Sequence, residues 1–504
     1  MPSKVFSVAL VGLDSQIIEV EVEVSRGLRY FGIVGLPDKA VEESRERVAV
    51  ALKNSGFLSP YNKSLKVLAS LAPADLKKEG SFYDLPIAIG FLLASNQLKF
   101  NFSDKIFVGE LALDGKLRPI RGAITFALTA KEKGFSEIIL PKENAPEAGL
   151  IEGIRVIGVN DLKEVVDYLK NRKEILPLKT EREKYFKEPE FLVDFGWIKG
   201  QQYAKRALEI VSAGGHHLLM MGPPGAGKTI LAKSLPSILP RLSFEESLEV
   251  SKIYSVAGLL PPERPLVVNR PFRAPHHTSS ETALIGGGNP PRPGEITLAH
   301  RGVLFLDEFP EFHRDVLESL RQPIEEGEVS VLRAKYSFRF PSQFTLVAAA
   351  NPCPCGNYGN PEKQCQCTNS QILMYRRKLS GPLIDRIDIL IEVPSLKYED
   401  LIEKNPENIS AKIREKVERA RLIQKERFGK EKTNSEMNLL EIKKYCQLSS
   451  DSENLLKKAV NSGKLSARGY HRVLKVARTI ADLEGSQNIT FAHLSEALMY
   501  RLRD

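Results

Sequence analysis

A glycine-rich stretch that ends in a lysine and a threonine constrains this chain more than any other feature. It reads GPPGAGKT, follows an apolar run at residues 218–221 and precedes a helical pattern at residues 229–235. This is P-loop spacing, in which backbone N–H groups surround phosphates, the lysine contacts the β- and γ-phosphates and the hydroxyl binds magnesium. The alternative, a glycine-rich turn, is disfavoured by the flanking strand and helix. The motif predicts an α/β fold that binds a nucleotide through Gly222, Pro223, Pro224, Gly225, Ala226, Gly227, Lys228 and Thr229.

Two further apolar runs end in polar side chains. Residues 302–306 lead into Asp307 and Glu308, and residues 344–350 lead into Asn351. Ligands of open α/β sheets bind at the carboxyl ends of the strands. We therefore expect Asp307 to hold magnesium, Glu308 to act as general base, and Asn351 to orient the attacking water. The alternative for Asp307 and Glu308 is that a buried strand simply meets solvent there. The alternative for Asn351 is an asparagine that starts a turn.

Two arginines are candidates for completing the site. Arg386 stands between two acids just before an apolar run, and Arg468 begins a helical pattern near the C-terminus. We expect Arg386 to act as an arginine finger in a neighbouring subunit's site, and Arg468 to reach the γ-phosphate from a helical lid. The alternatives are a local salt bridge for Arg386 and ordinary helix-surface charge for Arg468, with Arg472 as its competitor.

Four of the five cysteines lie within fifteen residues, as Cys353, Cys355, Cys365 and Cys367. Two C-x-C pairs around a polar loop can place four thiolates on one tetrahedral zinc ion. The alternative is a chance cluster of free thiols. We expect a structural zinc site and a reducing, cytoplasmic location.

Composition and patterning divide the 504 residues into three parts and a linker. Residues 1–170 mix strand and helix patterns, residues 171–190 form a charged linker, residues 191–395 alternate strands with helices, and residues 396–504 are helical. No apolar run approaches the ~18 residues of a membrane helix, so we expect no membrane partner. The net charge of +9 is compatible with a polyanionic partner such as DNA.

Several longer motifs resemble the magnesium-chelatase-like ComM (YifB) family of AAA+ ATPases. They are GQQYAKRALE at 200–209, PFRAPHH at 271–277, PGEI at 293–296, AANPCPCG at 349–356 and GPLIDR at 381–386. The resemblance implies a P-loop AAA+ core with a helical lid, ATP and magnesium as cofactors, and assembly into a homohexameric ring. It also implies a DNA helicase or branch-migration motor of recombination or natural transformation. The alternatives are a protein-remodelling or regulatory ATPase and a magnesium-chelatase-type subunit.

The N-terminal part resembles the C-terminal proteolytic domain of Lon, through VGEL and GKLRPIRG within residues 108–122. Cleavage by that domain needs a serine nucleophile and a lysine base. Here Asp84 occupies the place of the nucleophile and Phe126 that of the lysine, while Ser81 precedes an aromatic pair. The resemblance implies an α+β domain without protease activity, in a structural or DNA-guiding role.

Two basic segments are candidates for DNA contact. A long insertion over about residues 254–301 contains the adjacent His276 and His277, which we expect to pack or form hydrogen bonds rather than hold a metal. Residues 328–340 predict a β-hairpin with basic side chains near its tip, and the alternative is a solvated turn. The candidate DNA-binding residues are Arg273, Arg333, Lys335 and Arg339.

Overall fold

A computed structural model describes residues 2–61, 64–186, 191–288, 291–333, 336–359, 363–378, 383–396, 408–463 and 465–501. The chain forms two compact units, Met1–Glu188 with Ser247–Val267, and Pro189–Glu246 with Val268–Asp504. The predicted α/β fold, with an α+β domain before the P-loop core, is confirmed. Within the described ranges, every helix is too short or too polar to span a membrane.

The first unit is built on a seven-stranded mixed sheet in the order β3-β4-β2-β1-β5-β8-β9, with a separate hairpin, β6–β7. Alternation along its longest strand buries Ile18, Val20 and Val22 and leaves Glu21 and Glu23 exposed, as expected for a strand with one face on the core. The strands are β1 (Ser3–Val11), β2 (Asp14–Arg26), β3 (Tyr30–Val34), β4 (Leu65–Ala72), β5 (Lys105–Phe107), β6 (Glu110–Leu111), β7 (Leu117–Arg118), β8 (Glu137–Pro141) and β9 (Arg155–Val159).

Helices cover this sheet. They span Lys39–Glu42, Ser44–Asn54, Asp84–Ala94, Ala123–Glu132, Ala145–Ala148 and Leu162–Leu169, with 3-10 turns at Lys142–Asn144 and Arg182–Lys184. The first two of these helices are separated at Glu43. The segment Ser247–Val267 joins this unit and contains most of the helix Phe244–Ala257. Its Lys252 Nζ lies 2.6 Å from Asp14 Oδ1, and its Ser255 hydroxyl contacts the carboxylate of Glu147.

The second unit is built on a five-stranded parallel sheet in the order β11-β14-β17-β10-β18. Its central strands are near-continuous apolar runs because helices cover both faces of a parallel sheet. Two small hairpins, β12–β13 and β15–β16, stand apart from it. The strands are β10 (Leu218–Met221), β11 (Phe272–Arg273), β12 (Gly286–Gly287), β13 (Arg292–Pro293), β14 (Val303–Leu306), β15 (Glu328–Arg333), β16 (Tyr336–Pro341), β17 (Thr345–Ala350) and β18 (Ile389–Glu392).

The C-terminal helices share one hydrophobic core with this sheet. Val473 and Ile480 belong to the same cluster of buried side chains as Leu218 and Val347. The helices are Gln202–Gly214, Lys228–Ser234, Glu281–Ile285, Glu295–Leu298, Arg314–Ser319, Arg321–Glu326, Asn369–Lys378, Ile409–Phe428, Leu439–Tyr445, Ser450–Asn461, Ala467–Leu483 and Phe491–Met499. Short 3-10 turns lie at Phe195–Trp197, Leu235–Ser237, Phe309–Glu311, Ile384–Arg386 and Asn434–Glu436.

Candidate nucleotide site

The P-loop connects β10 to the helix Lys228–Ser234, as its spacing predicts. It begins at Gly222, where a Cβ atom would lie 2.2 Å from the carbonyl oxygen of Val393 at the end of β18. Only glycine fits there, because the backbone of β18 approaches so closely. The N–H of Val393 donates to the carbonyl of Met221 at 2.7 Å, which ties the start of the loop to the sheet. The backbone path of the loop is therefore set by two neighbouring strands.

Lys228 is buried at the inner side of the loop. Its Nζ donates to the carbonyl oxygens of Gly222 and Pro223 at 2.6 and 2.9 Å, and to Oδ1 of Asn351 at 3.1 Å. Burial lowers the pKa of the Lys228 ammonium, and the nearby charge of Asp307 opposes that shift. The predicted lysine of the P-loop and the predicted asparagine of β17 are thus brought into direct contact.

Thr229 and Asp307 form the second contact across the site. The hydroxyl of Thr229 donates to Oδ2 of Asp307 at 2.8 Å. Thr229 lies at the start of the helix after β10 and Asp307 follows β14, and both side chains present oxygen atoms, the ligands that Mg²⁺ prefers. The two residues therefore fit a magnesium ion that would replace their mutual hydrogen bond.

Glu308 follows Asp307 and is paired with a histidine that the sequence patterns left without a partner. Its Oε2 lies 3.1 Å from Nδ1 of His277, on the loop after β11. The backbone of Glu308 has φ +52°, a left-handed conformation that is uncommon for residues other than glycine. The centroid of the His277 ring lies 4.1 Å from that of His276, with the rings tilted by 34°, and 6.5 Å from that of Phe312 in an edge-to-face contact. The predicted general base is therefore oriented by an aromatic-lined imidazole.

Arg386 lies at the other end of the sheet. The 3-10 turn Ile384–Arg386 precedes β18, whereas the P-loop follows β10, its parallel neighbour, so about 13 Å of strand separates them. The guanidinium of Arg386 is mostly buried and lies 2.6 Å from Glu325 Oε1. Both the predicted finger and its salt-bridge partner are thus remote from the P-loop of the same chain.

Arg468 lies close to Arg386. Its Nη1 lies 3.9 Å from Asp385 Oδ2, beside Arg386 and away from the P-loop of its own chain. The reason is the docking of the helix Ala467–Leu483, whose first turn packs at the end where the strands begin. Its competitor Arg472 is bound to Asp388 at 2.5 Å. Burial alone would raise the pKa of Asp388, but the charge of Arg472 holds that pKa well below its ordinary value.

Gln201 was not among the predicted site residues. Its Nε2 donates to the carbonyl of Pro394 at 2.7 Å and contacts the carbonyl of Ala226 in the P-loop at 3.4 Å. It lies in the GQQYAKRALE motif, and its backbone has φ +54°. Gln201 therefore joins the P-loop to the end of β18, a contact that only the folded chain reveals.

The four clustered cysteines come together. Their sulfur atoms lie within 4.8 Å of one another, with Sγ–Sγ separations of 3.4, 3.6 and 3.7 Å among Cys353, Cys355 and Cys365. Thiolates around a tetrahedral zinc ion stand about 3.8 Å apart, given Zn–S bonds of about 2.3 Å. The donor set thus fits a four-thiolate metal ion.

The candidate DNA-binding residues are dispersed. Arg273 forms a two-point ion pair with Glu295, with both distances at 2.6 Å. The predicted hairpin is present as β15–β16, but Arg339 pairs with Ser330, well back from the turn, because the register places Arg333 opposite Tyr336. Arg339 is exposed and 3.8 Å from a glutamate of β15. Lys335 and the side chain of Arg333 lie outside the described residues.

Asp84, which the sequence places at the position of the Lon nucleophile, forms an ion pair in the first unit. Arg47 Nε and Nη2 bind the two carboxylate oxygens of Asp84 at 2.8 and 3.0 Å, and burial raises the pKa of Asp84. The hydroxyl of Ser81 contacts the carboxylate of Glu110, and the ammonium of Lys78 contacts a backbone carbonyl. Ser81 is therefore bound to an acid.

Comparison with known proteins matches three stretches of the chain. Family models match at residues 20–144 (subunit ChlI of Mg-chelatase), 194–401 (magnesium chelatase, subunit ChlI) and 407–501 (its C-terminal part). The competence protein ComM of Haemophilus influenzae is 46% identical over 99% of this chain and 97% of its own length. This chain belongs to the magnesium-chelatase-like ComM/YifB family of AAA+ proteins. The resemblance drawn from the motifs is confirmed.

Other relatives of this ComM/YifB-family chain differ in coverage. YifB of Escherichia coli is 43% identical over 98% of the chain and 96% of its own length. The magnesium-chelatase 38 kDa subunit of Acidiphilium rubrum is 26% identical and covers 62% of the chain and 91% of its own length. The similarity to ComM and YifB thus extends over nearly the whole chain, whereas that to the chelatase subunit leaves over a third of it uncovered.

Proposed function

We propose that this ComM/YifB-family chain binds ATP with magnesium and hydrolyses it at the carboxyl edge of the second sheet. The observation that carries the proposal is the meeting of two hydrogen-bonded pairs there, Lys228 with Asn351 and Thr229 with Asp307. Lys228 contacts the β- and γ-phosphates, and Thr229 and Asp307 hold the magnesium ion. On binding, Lys228 exchanges its contact with Asn351 for phosphate oxygens of the nucleotide. Thr229 and Asp307 exchange their mutual hydrogen bond for contacts with the magnesium ion.

Hydrolysis then needs a base and an oriented water. Glu308 accepts a proton from the water. At the same time the water oxygen bonds to the γ-phosphorus, and the bond between the γ-phosphorus and the ADP oxygen breaks. The amide of Asn351 orients that water, and the imidazole of His277 positions the Glu308 carboxylate. The chemistry consists of positioning and charge stabilisation, which is what phosphoryl transfer requires of a protein.

The site is completed by a second copy of the chain. Arg386 and Arg468 lie together at the end of the sheet opposite the P-loop, so neither stabilises phosphate charge in its own subunit. In a closed ring, a head-to-tail interface brings one end of each subunit to the opposite end of the next. We therefore assign both arginines to the neighbouring subunit's site, in a homo-oligomer, with six subunits as the expected number.

DNA is the client that the observations favour. The net charge is +9, and the relative with 46% identity is named a competence protein. In this proposal the ring is a cytoplasmic branch-migration motor, the basic hairpin β15–β16 faces the DNA, and the N-terminal Lon-like domain guides the substrate without cleaving protein. A protein-remodelling ATPase is the second candidate, favoured by the internal ion pair of Arg273, which leaves one fewer cation for phosphate contacts.

The test is the steady-state ATPase rate of the full chain with single-stranded, duplex and four-way-junction DNA over a series of salt concentrations. A DNA motor gives a stimulated rate that fades with salt, because phosphate contacts release counterions on binding. Turnover that is indifferent to every DNA would transfer the proposal to a protein client, and absence of ATP turnover under all conditions would contradict the ATPase itself.

The four cysteines belong to the same proposal as ligands of one structural zinc ion. Cys353, Cys355, Cys365 and Cys367 supply four sulfurs and no open position, which is the pattern of structural rather than catalytic zinc. The ion would contribute folding free energy to the loop that joins β17 to the helix Asn369–Lys378. Metal analysis of the purified chain, against a variant with Cys365 and Cys367 replaced by serine, tests this assignment.

A further inference from the structure

The cysteine loop, residues 353–367, starts at the nucleotide site. Strand β17 ends at Ala350, Asn351 contacts Lys228 at 3.1 Å, and Cys353 follows only two residues later. Cys353 is fully buried, and its sulfur accepts a hydrogen bond from the N–H of Tyr358 at 3.2 Å. The position of Asn351 is therefore tied to the first cysteine of the cluster.

The same loop returns to touch the P-loop itself. At Gly356, next to Cys355, an added Cβ atom would lie 2.4 Å from Cδ and 2.7 Å from Cγ of Pro224. Gly356 is buried and has φ +79°, and its N–H closes a turn onto the carbonyl of Cys353 at 3.0 Å. The turn between two predicted zinc ligands thus packs against the middle of the phosphate-binding loop.

The sulfur cluster is what closes this turn. Besides the contact between Tyr358 and Cys353, the N–H of Cys355 donates to the sulfur of Cys367 at 3.4 Å. A cation bound by all four sulfurs would tie Cys353 and Cys355, and with them the turn that ends at Gly356, to Cys365 and Cys367.

We propose that the metal ion of the cysteine loop and the nucleotide of the P-loop stabilise each other's binding, with contact between Gly356 and Pro224 as the link. This inference rests on the ATP site proposed above and adds a regulator to it, namely a thiophilic cation such as Zn²⁺. Because coupling between two ligands is reciprocal, the metal raises the affinity for nucleotide and nucleotide slows the loss of metal.

Two glycines of the loop provide a matched pair of variants. Gly356 and Gly359 both have left-handed backbones, with φ +79° and +76°, but a Cβ at Gly359 meets nothing within 4 Å. Gly356→Ala and Gly359→Ala thus impose similar backbone strain, and only the first disturbs the contact with Pro224. Their zinc content and their affinity for the fluorescent analogue mant-ATP with magnesium are measured on the full chain.

We expect both variants to retain one zinc ion per chain. Gly356→Ala loses affinity for mant-ATP by about 5- to 100-fold, the usual range of coupling between sites, while Gly359→Ala binds as the wild type does. Equal affinity of the two variants overturns the inference. If the zinc-loaded wild type itself fails to bind mant-ATP, the proposed ATPase fails instead, so the two failures are distinguishable.

Removal of the metal tests reciprocity without any substitution. Zinc release from the wild-type chain by a mercurial reagent, followed by thiol repair, is expected to weaken mant-ATP binding, and added Zn²⁺ restores it. Saturating ATP with magnesium is expected to slow the release of zinc to the chromogenic chelator pyridylazoresorcinol. Release at the same rate with and without ATP, or nucleotide affinity unchanged by zinc removal, contradicts the coupling.

Discussion

The guanidinium of Arg468 lies 3.9 Å from the carboxylate of Asp385, the residue that precedes Arg386. One arginine comes from the helix Ala467–Leu483 and the other from the turn before β18, yet both reach the end of the sheet where its strands begin. We assign both side chains to the terminal phosphate of a nucleotide bound to an adjacent copy, for which Arg386 would exchange its bond to Glu325.

Mixed oligomers test this arrangement. Lys228→Ala and Arg386→Ala chains are each expected to be inactive alone, because one lacks the phosphate-binding lysine and the other the finger. Co-expressed in equal amounts, they should recover about one quarter of the wild-type ATPase rate, since random assortment in a cyclic ring joins an intact P-loop to an intact finger at about one interface in four. Arg468→Ala should behave as Arg386→Ala does. A mixture that stays inactive contradicts action across the interface.

Glu308→Gln should separate nucleotide binding from turnover. The substitution keeps the shape of the side chain and removes the base, so kcat should fall by about 10²–10⁴-fold while mant-ATP still binds. Glu311→Gln is the matched control, because Glu311 lies one helical turn later. Among the described residues its ion pair is with Lys378, at 3.8 Å. Normal hydrolysis by Glu308→Gln would show that another group is the base.

His277→Ala should lower kcat with little change in nucleotide affinity, because the imidazole touches Glu308 and not the P-loop. Misplacing a catalytic group by about 1 Å costs up to about 100-fold in rate, and we expect a loss of about 10- to 100-fold. His277→Gln should recover part of it through an amide hydrogen bond. His276→Ala is the control, since Nδ1 of His276 is bound to Thr278 at 2.9 Å. Similar losses in both alanine variants would indicate a packing role for the pair.

The P-loop and the strand-end residues could be predicted because each motif is local and parallel strands bring their carboxyl ends together. The position of Arg468 could not, since helical periodicity shows which face of Ala467–Leu483 is apolar but not which end of the sheet its first turn meets. The contact of His277 with Glu308 spans thirty-one positions and depends on the path of an irregular loop. Likewise, sequence order placed Ser247–Val267 in the ATPase core, whereas packing assigns it to the first unit.

The stability of the second unit should fall in acid. Nδ1 of His217 accepts a hydrogen bond from the N–H of Leu346 at 3.0 Å, which requires that nitrogen to be unprotonated. Burial lowers the pKa of His217 to about 4, against an ordinary value of 6.5. Between about pH 6.5 and pH 4 the unfolded chain binds a proton that the folded chain does not, so up to about 3 kcal/mol of unfolding free energy is lost as pH decreases. The nearby Asp388, with its depressed pKa, shifts stability in the same direction.

Pulse proteolysis in a urea series, with the fragments of the two units distinguished by mass, measures the stability of the second unit separately. At pH 7 and pH 5 this measurement should show a larger loss of stability for the wild type than for His217→Gln. Glutamine at this position accepts the same hydrogen bond without titrating. Equal pH dependence of the two chains would exclude His217 as the source.

The first unit is made from two separate stretches of chain, and this restricts how the gene can change. Lys252 and Ser255 contact Asp14 and Glu147, and a Cβ at Gly258 would lie 2.5 Å from Nε of Arg121. A recombination event that exchanged only the N-terminal stretch would leave these side chains facing foreign neighbours. We therefore expect the N-terminal domain to be inherited together with a segment encoded inside the AAA+ core, and substitutions in the two to be correlated across species.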